Sequence, residues 1–185
     1  MKNVIYLIVV LLFCGSTYSQ KRKSSQRSTT ALAISDNLTD ELIKNKLYLL
    51  INNKGAKKDT VFGKPVDNTK WKLSDCKIAP FISKGFPLYL MTWIETATTK
   101  TELKTEVVTT LFSEIWEINF GSKTQVLANK QTITKIKETV FLDKLKNASE
   151  TQEKLRTEGF EFSLTKLGDV TLKNKTQNMK MIYDA

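Results

Sequence analysis

Apolar and polar side chains alternate through much of the C-terminal half of this chain, and a period of two predicts strands with one buried face. The alternation is cleanest from Phe160 onward. Phe160, Phe162 and Leu164 form one set, Val170 and Leu172 a second, and Met179, Met181 and Tyr183 a third. Gly168 and Asp169 supply a turn between the first two sets, so this segment is expected to be a three-stranded meander. Upstream, Trp71 and Leu73 alternate with lysines within Lys70 to Ile78, which predicts another half-buried strand. Pro80, Gly85 and Pro87 are expected to bound a turn after it. Leu88 to Ala97 is apolar on both faces as far as Ile94, the pattern of a central strand.

Thr98 to Thr105 is polar and turns the chain. Glu106 to Phe120 carries two incompatible periods: Val107, Val108, Leu111, Phe112, Ile115 and Trp116 suit a helix, whereas Trp116, Ile118 and Phe120 suit a strand. The β-branched content favours strand. Gly121 and Ser122 then signal a turn, and the residues up to Leu142 read as two short β runs.

Two segments predict helices. Between Asn37 and Asn53, Leu38, Leu42, Ile43, Leu47, Leu50 and Ile51 recur at three- and four-residue steps, with Asp36 able to cap and Asp40 and Glu41 in the first turn. Ser149 to Gln152 has the form of a capping box that opens a short polar helix ended by Gly159. Lys54 to Lys70 is punctuated by Gly55, Gly63 and Pro65 and reads as a surface connection with a short strand at Thr60 to Phe62. The expected fold class is therefore α+β: a predominantly antiparallel β-sheet, strongly bent or curled into a partial barrel, with one or two flanking helices.

The N-terminus has a different organisation. Lys2 precedes an unbroken apolar run from Val4 to Cys14, and mostly small residues follow to Ser19, the three regions of a signal peptide. The run falls short of the roughly 20 residues needed to span a bilayer, so no stable transmembrane span is expected after processing. Cleavage is expected between Ser19 and Gln20. This divides the chain into a signal peptide over residues 1–19, a flexible basic leader over 20–35 and a single globular domain over 36–185. A minor alternative is lipidation at Cys14, for which Phe13 is a poor preceding residue. The localisation expected is extracytoplasmic, periplasmic or secreted.

Composition narrows the chemistry. Removal of residues 1–19 takes away Lys2 and no acid, so the net charge falls only from +10 to +9. The arginines are Arg22, Arg27 and Arg156, and a lysine-rich, arginine-poor surface lacks the planar forks that read phosphate and guanine. No nucleic-acid partner is expected. Lys21, Arg22, Lys23 and Arg27 would instead give a weak attraction to an envelope protein, an anionic polymer or a membrane surface. Cys76 is the single cysteine after residue 19, which leaves no internal disulfide.

The chain contains no histidine. Ser-His-Asp and Cys-His catalysis are excluded, and with them the HExxH and mixed His/Cys metal sites. The glycines form neither a P-loop nor a GxGxxG, and no cofactor or metal is expected. Sequons at Asn37 to Thr39 and Asn147 to Ser149 matter only in a glycosylating pathway.

Three functions fit these limits. The first is a non-catalytic envelope or secreted module that binds a protein or polymer. The second is a carrier of a small apolar ligand, with Trp71, Leu90, Trp93, Trp116 and Phe120 lining a cavity; ordinary core packing of the same residues competes with it. The third is a carboxylate-based glycan hydrolase using Glu114 with Glu117 or Glu95.

Overall fold

The computed structural model describes residues 29–35, 37–52, 58–67, 70–119 and 122–184. The signal peptide, the cleavage point at Ser19 and Gln20, Cys14, the basic residues Lys21, Arg22, Lys23 and Arg27, and Phe120 lie outside the described residues.

The described residues form twelve strands and no helix, in three antiparallel sheets, none of them closed. The first sheet contains β1 (Thr29–Ser35), β2 (Leu38–Ile43), β3 (Lys46–Ile51) and β4 (Asp59–Pro65). The second contains β5 (Lys72–Ser83), β6 (Phe86–Lys100), β7 (Lys104–Asn119), β8 (Ser122–Phe141) and β9 (Ser149–Gly159). The third contains β10 (Glu161–Leu164), β11 (Val170–Lys173) and β12 (Asn178–Met181), the expected meander. In each sheet the spatial order follows the chain order. β1 occupies residues 29–35, within the stretch expected as a leader.

The α+β expectation is corrected to all-β, and both helices become strands. The stripe in 37–53 is split by a hairpin at Lys44 and Asn45, whose φ values of 46° and 60° belong to a two-residue turn with the twist of the flanking strands. Leu38, Thr39, Asp40 and Glu41 are all buried in succession, because β2 is covered on both faces. A strand without a wet face shows no period of two, so its apolar spacing resembled a helix. β9 fails for the opposite reason. Nearly every residue in it is exposed, so it has no apolar face to reveal a period, and its register against β8 is what holds it extended. Its charged side chains, Glu150, Glu153, Lys154, Arg156 and Glu158, also protect the open sheet edge from pairing with other chains.

The long β5–β9 sheet is the middle layer. Side chains at Met91, Trp93 and Trp116 point to one face, where they pack against Leu38, Leu47 and Leu49 of the first sheet. Leu88 and Ile115 point to the other face and pack against Val170 and Leu172 of the third. The first sheet is held at both sides: β1 lies against β5, while Lys123 on β8 pairs with Asp59 and donates to the Thr60 carbonyl at 3.0 Å.

The prolines fit because of their positions. The turn lies at Lys84 and Gly85, and Pro80 and Pro87 sit inside β5 and β6. β5 is an edge strand, and β6 meets β7 only from Tyr89 onward, so neither missing N–H interrupts a central ladder. Gly159 turns the chain from β9 to β10 at φ 80°; a Cβ there would lie 2.1 Å from the Lys130 carbonyl oxygen.

Candidate functional site

Of the five residues expected to line one cavity, the four that are described, Trp71, Leu90, Trp93 and Trp116, do not converge. Trp93 and Trp116 are core residues between the first two sheets, 1% and 7% exposed. Phe62 packs against both, and Trp93 stacks on Phe112 with ring centroids 4.6 Å apart. Leu90 faces the other side and packs with the third sheet. Trp71 is half-buried just before β5, held by its backbone N–H to the Asp67 carbonyl at 2.8 Å. For the two core tryptophans and Leu90 the ordinary packing role holds.

The space between the first two sheets is unusually rich in ionisable groups. Trp93 donates its indole N–H to Glu95 at 3.0 Å, and Trp116 donates to Glu114 at 3.1 Å. Lys64 reaches Glu95 at 3.0 Å and lies 3.3 Å from the centroid of the Phe112 ring. Burial pushes the Glu114 carboxyl above its ordinary value, against the hydrogen bonds from Trp116 and Gln125 and the charge of Lys64. Asp40 is wholly buried and neither of its carboxylate oxygens has a hydrogen-bond partner. Burial, with a contribution from the charge of Glu114, raises its pKa to about 7.

Cys76 is brought towards the same core by a bulge. Asp75, at φ 52°, and Cys76 together take the space opposite Trp93, so Asp75 turns out to solvent while Cys76 packs inward. Burial and the negative charges of Asp40, Asp75 and Glu95 push its thiol up to about 12. Thiolate chemistry at neutral pH is closed to it.

The carboxylates considered as an acid–base pair are kept apart. Glu114 faces the first sheet, whereas Glu117 faces the third, where its Oε2 accepts from the Tyr183 hydroxyl at 2.8 Å. Glu95 lies opposite Thr110, four positions from Glu114 along β7, about 13 Å at the rise of a strand. Each is also bonded to its own tryptophan. Among the described residues no group of three or more Cys, Asp or Glu side chains is placed to hold a metal ion.

A different feature has the geometry of a binding site. On the opposite face of the middle sheet an open-sided groove of about 310 Å³ runs along the seam with the third sheet. Phe81, Leu88, Ile115 and Leu127 form its floor, and Val170, Met181 and Tyr183 form the facing wall. β8 carries an extra residue at its mouth. Ile115 pairs with Leu127 and Trp116 with Gln125, so Val126 is bulged out of register and both it and Leu127 line the groove.

The wall is set by Gly168. At φ 83° it turns the β10–β11 connection, and a Cβ there would lie 2.4 Å from the Ile82 carbonyl oxygen and 2.7 Å from the Ser83 Cα. Only glycine lets this turn close onto the β5–β6 hairpin. The Tyr183 hydroxyl, pushed up by its bond to Glu117, and the Asp184 carboxylate are the polar groups at one side. The turn at Gly168 and the strand position of Met181 follow from the sequence, whereas Tyr183, expected in the same strand, lies beyond its end, and nothing local marked Val126 as a bulge. No protein-family model, curated protein or solved structure matches this chain.

Proposed function

We propose that the protein is an exported, non-catalytic binding module whose groove between the middle sheet and the C-terminal meander takes a small apolar ligand. The observation that carries this reading is the groove itself. Its volume is within the range of small-molecule sites, its lining is aliphatic and aromatic, and its polar groups are few and gathered at one side. Between the first and middle sheets, by contrast, Trp93, Trp116, Phe62 and the leucines of the first sheet pack on one another as core.

The test is binding of the neutral fluorescent probe N-phenyl-1-naphthylamine. Wild-type protein is expected to enhance its emission in a saturable way, and Val126→Trp, which places an indole in the groove mouth from an exposed position, is expected to abolish the enhancement while the protein stays folded. Equal binding by the variant would overturn the reading. Export is tested separately: the mature chain is expected to begin at Gln20 by intact-mass measurement, and a chain retaining Met1 inside the cell would refute it.

A second reading, capture of a protein or polymer on the sheet surface, is favoured by a hollow of about 480 Å³ at the far end of the middle sheet. Lys135, Lys137, Glu153 and Lys154 line it beside Val107 and Leu155. Loss of polymer binding on Lys135→Glu with Lys137→Glu, and not on Val126→Trp, would support that reading.

A further inference from the structure

We propose that the ligand of the seam groove is a single-chain amphiphile with an ammonium head, its hydrocarbon lying on Leu88, Ile115 and Leu127 and its head held at the Glu117, Tyr183 and Asp184 side. This inference rests on the groove being the ligand site.

Three observations select the head. Asp184 is the charged side chain in the lining, and Glu117 is joined to the lining by the Tyr183 hydroxyl, which donates to it at 2.8 Å. Among the described residues neither carboxylate has a cationic partner: the neighbouring Lys180 is paired with Asp169 at 2.9 Å and Lys123 with Asp59. Glu117 accepts from Asn119 at 2.6 Å as well as from Tyr183, and a carboxylate has room for further donors.

The second observation is aromatic. Phe86 meets Tyr183 edge to face with centroids 5.7 Å apart, and Phe86 is 41% exposed. Ring faces beside carboxylates are the chemistry by which alkylammonium groups are recognised. The third is the contrast with the rest of the molecule. A chain of net charge +10 attracts anions over its surface as a whole, so a preference for a cation must come from local groups.

The shape of the groove selects the tail. It is apolar along its floor and open at its side, and about 310 Å³ admits one chain rather than the two of a diacyl lipid. A half-exposed ion pair and a cation–π contact together amount to a preference of about tenfold for the ammonium over a carboxylate of the same chain length.

The experiment displaces N-phenyl-1-naphthylamine from the wild-type protein with dodecylamine, dodecanol and dodecanoate, each below its micellar concentration at pH 7. Dodecylamine is expected to displace at about tenfold lower concentration than dodecanoate, with dodecanol between them. In the double variant Glu117→Gln with Asp184→Asn, shown to be folded by its unfolding transition, the amine and the carboxylate are expected to fall within about twofold. Equal or better displacement by dodecanoate from wild-type protein overturns the ammonium head while leaving the groove standing. An unchanged tenfold preference in the double variant overturns the assignment to these carboxylates. Failure of Val126→Trp to block the probe removes the groove itself, and the head assignment with it.

Discussion

The indole N–H of Trp116 donates to Glu114 at 3.1 Å, two residues back along the same strand, and Trp93 makes the reverse pairing with Glu95, two residues ahead, at 3.0 Å. Same-face neighbours on a strand are two residues apart, so each tryptophan satisfies the carboxylate beside it before either is covered by the first sheet. The pairs let a charged core form at all.

Trp116→Phe should remove the indole donor and leave Glu114 with the hydrogen bond from Gln125 alone. A loss of about 2 kcal/mol is expected in urea denaturation at pH 8. Glu114→Gln in the same background is expected to recover most of it, because the carboxylate that needed the donor is gone. A double-mutant cycle with no coupling would mean the bond is energetically idle.

Asp40 makes stability depend on pH in an unusual direction. It ionises near 3.8 in the unfolded chain and near 7 in the folded one, so between those values the native state keeps a proton that the unfolded state has lost. Stability is therefore expected to be highest near pH 4, to fall as the pH rises through this window and to level off above about pH 7, after a loss of about 4 kcal/mol. Glu114, also raised by burial, acts in the same direction. Lys64, Glu95 and Cys76 are the other ionisable groups of this interior. Asp40→Asn is expected to flatten the profile, matching wild type at pH 4 and exceeding it at pH 8 in chemical denaturation. A wild-type profile that rises with pH over this range would contradict the burial of this carboxylate.

Gly168→Ala brings a Cβ against the Ile82 carbonyl and the Ser83 backbone at a positive φ. A cost of about 2 kcal/mol or more is expected in thermal unfolding, with weaker probe binding, since this turn forms the groove wall. Gly85→Ala is the comparison: its φ is also positive, but nothing lies within 4 Å of the added carbon, so the loss should be smaller and binding intact.

Cys76, with its thiol pushed up to about 12 and its side chain packed inward, should resist iodoacetamide at pH 8 in the native protein lacking residues 1–19. In urea it should react at the rate of an ordinary thiol. Fast native labelling, read by mass, would show that the β5 bulge does not bury it.

How much of this was legible in the sequence depended on how each strand meets water. The meander after Phe160 alternates because one face packs on the middle sheet and the other is wet, and it was read correctly, with its turn at Gly168. β2 and β9 were read as helices because one has both faces covered and the other has both faces in solvent. β8 appeared as two runs because its polar middle hides a single strand of 20 residues. The site was less legible still. Trp93 and Trp116 are buried and Leu90 partly so, as their apolar strands imply, but their partition onto opposite faces of the sheet depends on register.

The residues alone determined what chemistry is closed to this protein, since no fold can supply an imidazole that the chain lacks, and they marked those turns that glycine makes by local backbone preference, at Gly85 and Gly168. The tertiary structure decided which strands lie beneath others, which carboxylates lost their water, and where a groove remained. Those outcomes bring together residues as distant in sequence as Phe81 and Tyr183, and a one-residue bulge at Val126 is enough to change which side chain lines the groove.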